Sequence, residues 1–340
     1  MDVALKIWRY DAATGERALK DYEVEAPEWA CLLDVLDIVK DQVDGSLAYR
    51  KSCRMMICGS CGMRMDGRAV LACKERMKPI VESGHVPVIS AMGNMPVLKD
   101  LVVDMTPFWA KIRNMKPWLD PGYQEIPEKE FRVSQEQMNP IHKESLCIMC
   151  GCCVSECNSM ESDPEFFGPA ALAKGFRFVG DPRDRAKIDR LEDYNDEHGI
   201  WDCTRCYFCN ERCPKGVDPR DSIAKLGAES IAEGIDRDMG AKHAKWFVHS
   251  AKTTGWLRET ELVPKTQGVV EAVKQTKFAL SLAKRGKVPP PFPPHVAANV
   301  QEARALYEIV RTRGRHGAAG IVQGEKALSR IEHPHDGEGA

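Results

Sequence analysis

The sequence predicts an α+β protein: a small mixed unit at the N-terminus, then a helical region, then a helical tail. Three observations predict it. Strand-like alternation and turn chemistry are confined to roughly residues 1–105. Beyond that point the apolar residues recur mainly at helical spacing. And the cysteines fall into one group inside the mixed unit and two groups inside the helical region, which divides the chain as 1–105, 106–240 and 241–340.

The elements follow in order. Residues 3–8 (VALKIW) form a strand candidate, residues 11–15 supply turn chemistry, and residues 21–24 give the return strand. Leu32, Leu33, Leu36, Val39 and Val43 recur near helical spacing with acidic residues between them, and Gly45 offers a stop. A cysteine loop occupies residues 50–65. Its glycines, Gly59 and Gly62, are expected to let backbone N–H groups approach bound sulfur. Residues 69–73 and 85–90 are further short strands. In the second region, residues 167–174 (FGPAALAK) read as a helix with proline near its start, and residues 216–236 as another. In the third, residues 269–283 and 296–312 read as helices. The run VPPPFPP at 288–294 must be extended, because consecutive prolines lack N–H donors. Residues 333–340 are polar and glycine-rich, and a frayed end is expected.

Bulk properties exclude several classes. A chain of 340 residues, 43% hydrophobic and 29% charged, can build ordinary cores. Its net charge of −2 leaves no broad basic field, so no nucleic-acid partner is expected. No stretch approaches the roughly 20 apolar residues that cross a bilayer. The opening residues MDVALKIWRYDAATGE lack a secretory hydrophobic region, so a cytoplasmic chain with reduced thiols is expected.

That compartment decides how the 14 cysteines are read. Cys53, Cys58, Cys61 and Cys73 form C-x4-C-x2-C-x11-C, the plant-type spacing for a [2Fe–2S] cluster. Cys147, Cys150, Cys153 and Cys157 form C-x2-C-x2-C-x3-C. Cys203, Cys206, Cys209 and Cys213 repeat it, followed by Pro214. In dicluster proteins with this spacing the fourth cysteine of each run binds the other cluster. The expected sets are therefore Cys147, Cys150, Cys153 with Cys213, and Cys203, Cys206, Cys209 with Cys157. One [2Fe–2S] and two [4Fe–4S] clusters follow, the second being [3Fe–4S] if Cys206 is not a ligand. Structural zinc is the alternative, since C-x2-C pairs also make zinc sites. Two runs of one period plus the separate group favour iron–sulfur.

Nothing else in the sequence carries catalytic chemistry, so no catalytic residue is assigned. Cys31 reads as a buried small hydrophobe, and Cys152, between two ligands, as a packing residue pointing away from them. His142, five residues before Cys147, is a candidate to tune a cluster, against the commoner reading of an ordinary histidine. The methionines at 55 and 56 read as packing against a partner or over the cluster. Arg183, Arg185 and Lys187 read as a solvated face, with a pocket for an acidic cofactor as the weaker option.

Several stretches resemble the iron–sulfur subunit of succinate dehydrogenase and fumarate reductase: RKSCRMMICGSCG at 50–62, LAC at 71–73, PVLKDLVVDM at 96–105, GPAAL at 168–172 and CPKG at 213–216. The resemblance covers roughly residues 1–240. It implies an N-terminal β-grasp [2Fe–2S] domain and an all-α dicluster domain. It also implies a FAD-containing flavoprotein partner that handles succinate or fumarate, and a membrane-associated quinone-reacting partner. The chain would then be an electron-transfer subunit with no substrate site of its own, peripheral on the cytoplasmic face of the membrane through its partners.

The sequence departs from the common family pattern in three places. Cys206 stands where usual members lack a cysteine and hold a three-iron cluster. The usual Cys-Pro-Ser-x-Trp-Trp run is here Cys157-Asn158-Ser159-Met160-Glu161-Ser162, and the usual histidine is Thr204, which removes residues of the standard quinone site. The chain also continues from about 241 to 340, a tail that resembles the C-terminal part of the iron–sulfur subunit of heterodisulfide reductase at residues 249–256, 284–289 and 300–310. Together these resemble the non-classical type E succinate and fumarate reductases, with docking to a cysteine-rich heterodisulfide-reductase-like partner. The alternative is a subunit of a thiol-linked fumarate reductase or related soluble reductase.

Overall fold

A computed structural model describes residues 1–11, 13–122, 127–287 and 296–314. The proline run at 288–294 and the polar end at 333–340 lie outside the described residues. The chain forms two compact units, Met1–Arg132 with Ile141–Glu229, and Val133–Pro140 with Ser230–Ala340.

The first unit opens with β1 (Asp2–Tyr10) and β2 (Arg17–Glu25), antiparallel with Asp2 opposite Glu25 and Tyr10 opposite Arg17. Val3, Leu5 and Ile7 alternate onto the buried face. The chain then crosses through the helix Leu32–Ile38 to β3 (Gly62–Met65) and β4 (Arg68–Leu71). Asp66 and Gly67, both at positive φ, close that hairpin as a type I′ turn requires. β5 (Val88–Ser90) returns parallel to β1 and antiparallel to β3, so the sheet order is β2-β1-β5-β3-β4. Leu32, Leu33, Val35 and Leu36 cover it, in a core with Leu47, Met63 and Leu71. This is the β-grasp arrangement expected of the first region. The strands expected at 69–73 and 85–90 are shorter. Cys73 lies in the turn after β4, and His85 precedes β5 and pairs with Asp66 at 2.9 Å.

The first helix does not run regularly to its end. Val39–Val43 is a π-helical turn, and it rotates Val43 out of the apolar stripe to more than half exposure. Cys31 caps the helix: its backbone N–H and its thiol both donate to Asp34 Oδ2 at 3.0 Å. A short hairpin, β6 (Val97–Lys99) with β7 (Val102–Val103), completes the sheets. Its turn residue Asp100, nearly fully buried, accepts from Arg9, from the Tyr10 N–H (3.1 Å) and from the Ala48 N–H (2.8 Å).

The rest of the first unit is helical. The expected helix around 167–174 extends from Pro169 to Val179, with proline at its first position. The helix expected at 216–236 runs Pro219–Ala232. Between them, Arg190 is almost fully buried at the head of a polar knot. It pairs with Asp184 (2.8 Å) and donates to the carbonyls of Met115, Lys116 and Trp118. Arg183 forks onto Asp181 (2.8 and 2.7 Å) and Lys187 pairs with Glu229 (2.7 Å), so these cations hold the fold together.

In the second unit, Ser134 and Gln137 form a capping box on the helix Gln135–Met138. The helices Met239–Thr254, Glu259–Thr266, Val269–Lys274, Thr276–Lys284 and Val300–Gly314 follow. Arg304 ties the last to the first through the carbonyls of Lys252 (3.2 Å) and Thr253 (2.8 Å). The single helix expected over 269–283 is two, broken at Gln275. There the Thr276 hydroxyl takes the Ala272 carbonyl (3.3 Å), competing with the helical ladder. No helix among the described residues is long and apolar enough to cross a membrane.

Candidate metal centres

The first cysteine group sits on an irregular loop that follows the π-helical turn. Arg54 and Met56 take left-handed backbone conformations, and N–H groups of the loop turn inward. Three of these, from Met55 (3.4 Å), Ile57 (3.3 Å) and Cys58 (3.2 Å), point at Cys53 Sγ. The Cys53 N–H reaches Cys58 Sγ at 3.5 Å, and Ser60 Oγ lies 3.1 Å from the same sulfur. Burial would raise the Cys58 thiol, but the Ser60 hydroxyl and the backbone N–H groups of Cys53 and Ser60 outweigh it and bring it to about 6. Cys61 lies beside Cys73 and, being buried, is pushed up to about 12. The four thiols thus converge within a cradle of N–H donors.

Glycine plays a different part from the one expected. The N–H groups that reach cysteine sulfur come from Cys53, Met55, Ile57, Cys58 and Ser60. Gly59, at φ +71, instead allows contact with the next group: a Cβ there would lie 2.8 Å from Cys150 Cβ. At Gly62 a Cβ would lie 3.0 Å from Met92 Sδ.

Two acidic residues, invisible as site residues in the sequence, anchor this loop from the helix Leu32–Ile38. Asp37 accepts from Tyr49, Lys51 and Arg54, and Asp34 accepts from Arg54 at 3.1 Å. Burial pulls the Asp37 carboxyl up, but hydrogen bonds from Lys51, Tyr49 and Arg54 outweigh it and hold it below its ordinary value.

The two four-cysteine runs do not form two separate pockets. One cavity is lined by Cys147, Cys150 and Cys153 together with Cys213, and closed by Ala170, Ala173 and Val217. The other is lined by Cys157 with Cys203, Cys206 and Cys209, and closed by Phe166, Pro169, Tyr207, Arg220 and Ile223. The start of the helix Pro169–Val179 divides them, with alanines toward the first, where bulk would fill the space. Gly168, at φ +86, starts it where a Cβ would meet Met160 Sδ at 2.5 Å. The Val217 N–H donates to Cys213 Sγ (3.3 Å), and the Thr204 N–H to Ser159 Oγ (3.2 Å). Burial, and then its neighbours Cys150, Cys147, Cys209 and Cys213, push the Cys153 thiol well up, so the two cavities adjoin.

The first cavity is also stitched to the sheet. Arg64 of β3 donates to Ser155 Oγ (3.0 Å) and pairs with Glu156 (2.8 Å). Asn94 Nδ2 donates to the carbonyls of Val154 (2.8 Å) and Cys157 (2.9 Å). Cys152 is fully buried in the same core as Leu5 and Leu71, as its packing role requires. It does not simply point away from its neighbours, however. A hydrogen bond from its thiol is the main cause that pulls Cys150 down to about 7. His142 is exposed, and the buried polar group of that segment is Glu144, which accepts from Ser222 at 2.9 Å.

Four thiols per site, N–H donors aimed at sulfur and cavities walled largely by small or apolar groups suit iron–sulfur clusters. Fold and cysteine sets together define a protein of the ferredoxin-domain class, with a two-iron domain followed by a dicluster domain. The comparisons agree. Residues 4–110 match the 2Fe-2S iron-sulfur cluster binding domain, and residues 144–217 match the 4Fe-4S dicluster domain. The chain is 37% identical over 243 residues to the fumarate reductase iron–sulfur subunit of Haemophilus influenzae, covering 68% of this chain and 94% of that protein. It is 32% identical over 287 residues to the 8-methylmenaquinol:fumarate reductase iron–sulfur subunit of Wolinella succinogenes, covering 83% and 89%. Among solved structures, a chain of the Mycobacterium smegmatis Sdh1 complex in the apo form superposes with a TM-score of 0.63 at 28% identity, over 69% of this chain and 98% of that one. The chain belongs to the family of fumarate reductase and succinate dehydrogenase iron–sulfur subunits.

Proposed function

We propose that this chain relays electrons between the FAD of a succinate- or fumarate-handling flavoprotein subunit and a quinone-linked, membrane-associated subunit. The observation that carries the reading is the series of three four-cysteine sets in one unit, with Gly59 of the first packed on Cys150 of the second. Cys53, Cys58, Cys61 and Cys73 would hold a [2Fe–2S] cluster. Cys147, Cys150, Cys153 and Cys213 would hold one [4Fe–4S] cluster, and Cys157, Cys203, Cys206 and Cys209 the second. When bound, such clusters supply one-electron redox chemistry with no bond made or broken. The chain's own residues wall them from water, fix their separation and donate hydrogen bonds to sulfur. Succinate or fumarate chemistry falls to the flavoprotein.

The finer reading is a type E complex. Cys206 lines its cavity with three other cysteines, which supports a four-iron centre there. The Wolinella match spans 83% of the chain, against 68% for the Haemophilus protein, which supports a shared tail. We assign residues 1–105 to the two-iron domain, 106–240 to the dicluster domain and 241–340 to docking on a cysteine-rich, heterodisulfide-reductase-like partner. The complex would sit on the cytoplasmic face of the membrane, this chain held there by its partners.

Purification of the native complex, with subunit identification and iron and sulfide analysis, tests the reading. The expected result is a FAD protein, a membrane-associated partner and about ten irons per copy of this chain, with succinate–quinone or quinol–fumarate activity. Zinc in place of iron would overturn the cluster assignment. Thiol-dependent fumarate reduction without quinone activity would move the chain to the thiol-linked class.

A further inference from the structure

The cavity of Cys157, Cys203, Cys206 and Cys209 has a cation in its wall with a buried donor unmet. Arg220 stands near the start of the helix Pro219–Ala232 and lines that cavity. Its backbone N–H donates to Asn210 Oδ1 at 2.9 Å, which fixes where the side chain begins. Nη1 donates to Asp221 Oδ1 at 2.8 Å. The guanidinium lies 4.4 Å from the centre of the Tyr207 ring, and Tyr207 is held at φ +69 next to Cys206. Nε remains. It is buried and has no hydrogen-bond partner among the described residues.

A buried N–H on a charged group left unmet is destabilising, and guanidinium groups are placed so that their forks are used. The cavity wall carries four thiols and the hydroxyls of Ser159, Thr204 and Tyr207, and Nε bonds none of these oxygens, which leaves sulfur at the centre of the cavity as its acceptor. Arg212 also has an unmet buried Nε but does not line this cavity. Arg205 also acts on Cys203 by its charge, but it is exposed and does not line this cavity.

We propose that Arg220 tunes the cluster of this cavity: Nε–H donates to one of its sulfurs, and the guanidinium charge favours the reduced state. On reduction the centre gains one electron, no bond forms or breaks, and the added negative charge faces a fixed cation. Hydrogen bonds and charge near sulfur are established levers on iron–sulfur potentials. The proposal rests on the ligand assignment above.

The test is an EPR-monitored redox titration of the complex containing the full chain, with dithionite as reductant. Wild type is compared with Arg220→Met and Arg220→Lys, and iron and sulfide are measured in each. Arg220→Met is expected to lower this centre's midpoint, so that at the wild-type midpoint its reduced-to-oxidised ratio falls about tenfold, or 59 mV for one electron. Arg220→Lys keeps the charge but cannot aim the same N–H, and its ratio falls by a smaller factor, about threefold. The other two centres keep their potentials. An unmoved midpoint in Arg220→Met at full iron content overturns the proposal, as does an equal shift in all three centres. If Arg220→Met fails to load its cluster, a wild-type midpoint in Arg220→Lys overturns it. A wild-type chain lacking a third centre sinks the ligand assignment itself, and its low iron content identifies that outcome.

Discussion

On the proposed ligand set, the single thiol of Cys206 decides how many irons its cavity can hold. Replacing it with serine leaves three sulfur ligands, so Cys206→Ser should lose about one iron per chain. The oxidised variant should show a three-iron EPR signal that the wild type lacks. A stoichiometric three-iron signal in the wild type would remove Cys206 from the ligand set. Asp181 sets a different residue-scale expectation. Burial alone would raise its carboxyl, but Arg183 and Arg177 hydrogen-bond it and hold it at about 2. An unfolded aspartate titrates near 3.9. The pairing therefore contributes fully above about pH 4 and is lost as pH falls toward 2, an effect of about 2 kcal/mol. Thermal unfolding from pH 5 to 2 should show Asp181→Asn losing less stability on acidification than the wild type. The grouping of the cysteines was legible in the sequence because their spacing is a local property. The partners of Asp181 were not, because Arg183 next to Arg185 and Lys187 reads as a solvated face until a buried carboxylate is placed against it.

At the scale of elements, the loop at 50–61 depends on a helix that contributes no sulfur. Asp37 gathers Tyr49, Lys51 and Arg54, and so sets the curvature that turns the Met55, Ile57 and Cys58 N–H groups toward Cys53. Asp37→Ala should leave the sheet folded but free the loop, and the [2Fe–2S] chromophore should be lost to a chelator about tenfold faster, which corresponds to about 1.4 kcal/mol. Unchanged loss kinetics would mean that the cluster alone orders the loop. The sequence showed β1, β2 and the helix beginning at Leu32, since alternation and helical spacing are strong there. It did not show Asp34 and Asp37 as anchors, because acids between apolar positions look like an ordinary wet face. The left-handed turns at Arg54 and Met56 were hidden as well, since neither is glycine. Further on, Met239–Thr254 drew no expectation, since its lysines and histidines blur the apolar stripe. The break at Gln275 depends on a threonine hydroxyl, a choice that periodicity does not register.

Across the whole molecule, the crossed cysteine sets tie residues 147–157 to residues 203–213 and enclose the helix Pro169–Val179 between them. Folding and cluster insertion should therefore be one event. Cys213→Ser, although it removes a ligand only from the Cys147 cavity, should lower iron at the other cavity too and expose the segment between them to proteolysis. Loss confined to one cavity would mean that the helices between the runs hold without the clusters. The common wall has a bearing on damage as well. If insertion is one event, a cell repairing this subunit after oxidative attack would have to rebuild both centres, because each cavity borrows a side from the other run. A chain stripped of a whole cluster at either place would then be a candidate for clearance rather than refurbishment. Its working lifetime is then set by whichever of the two centres is more easily stripped, and shielding that one protects both.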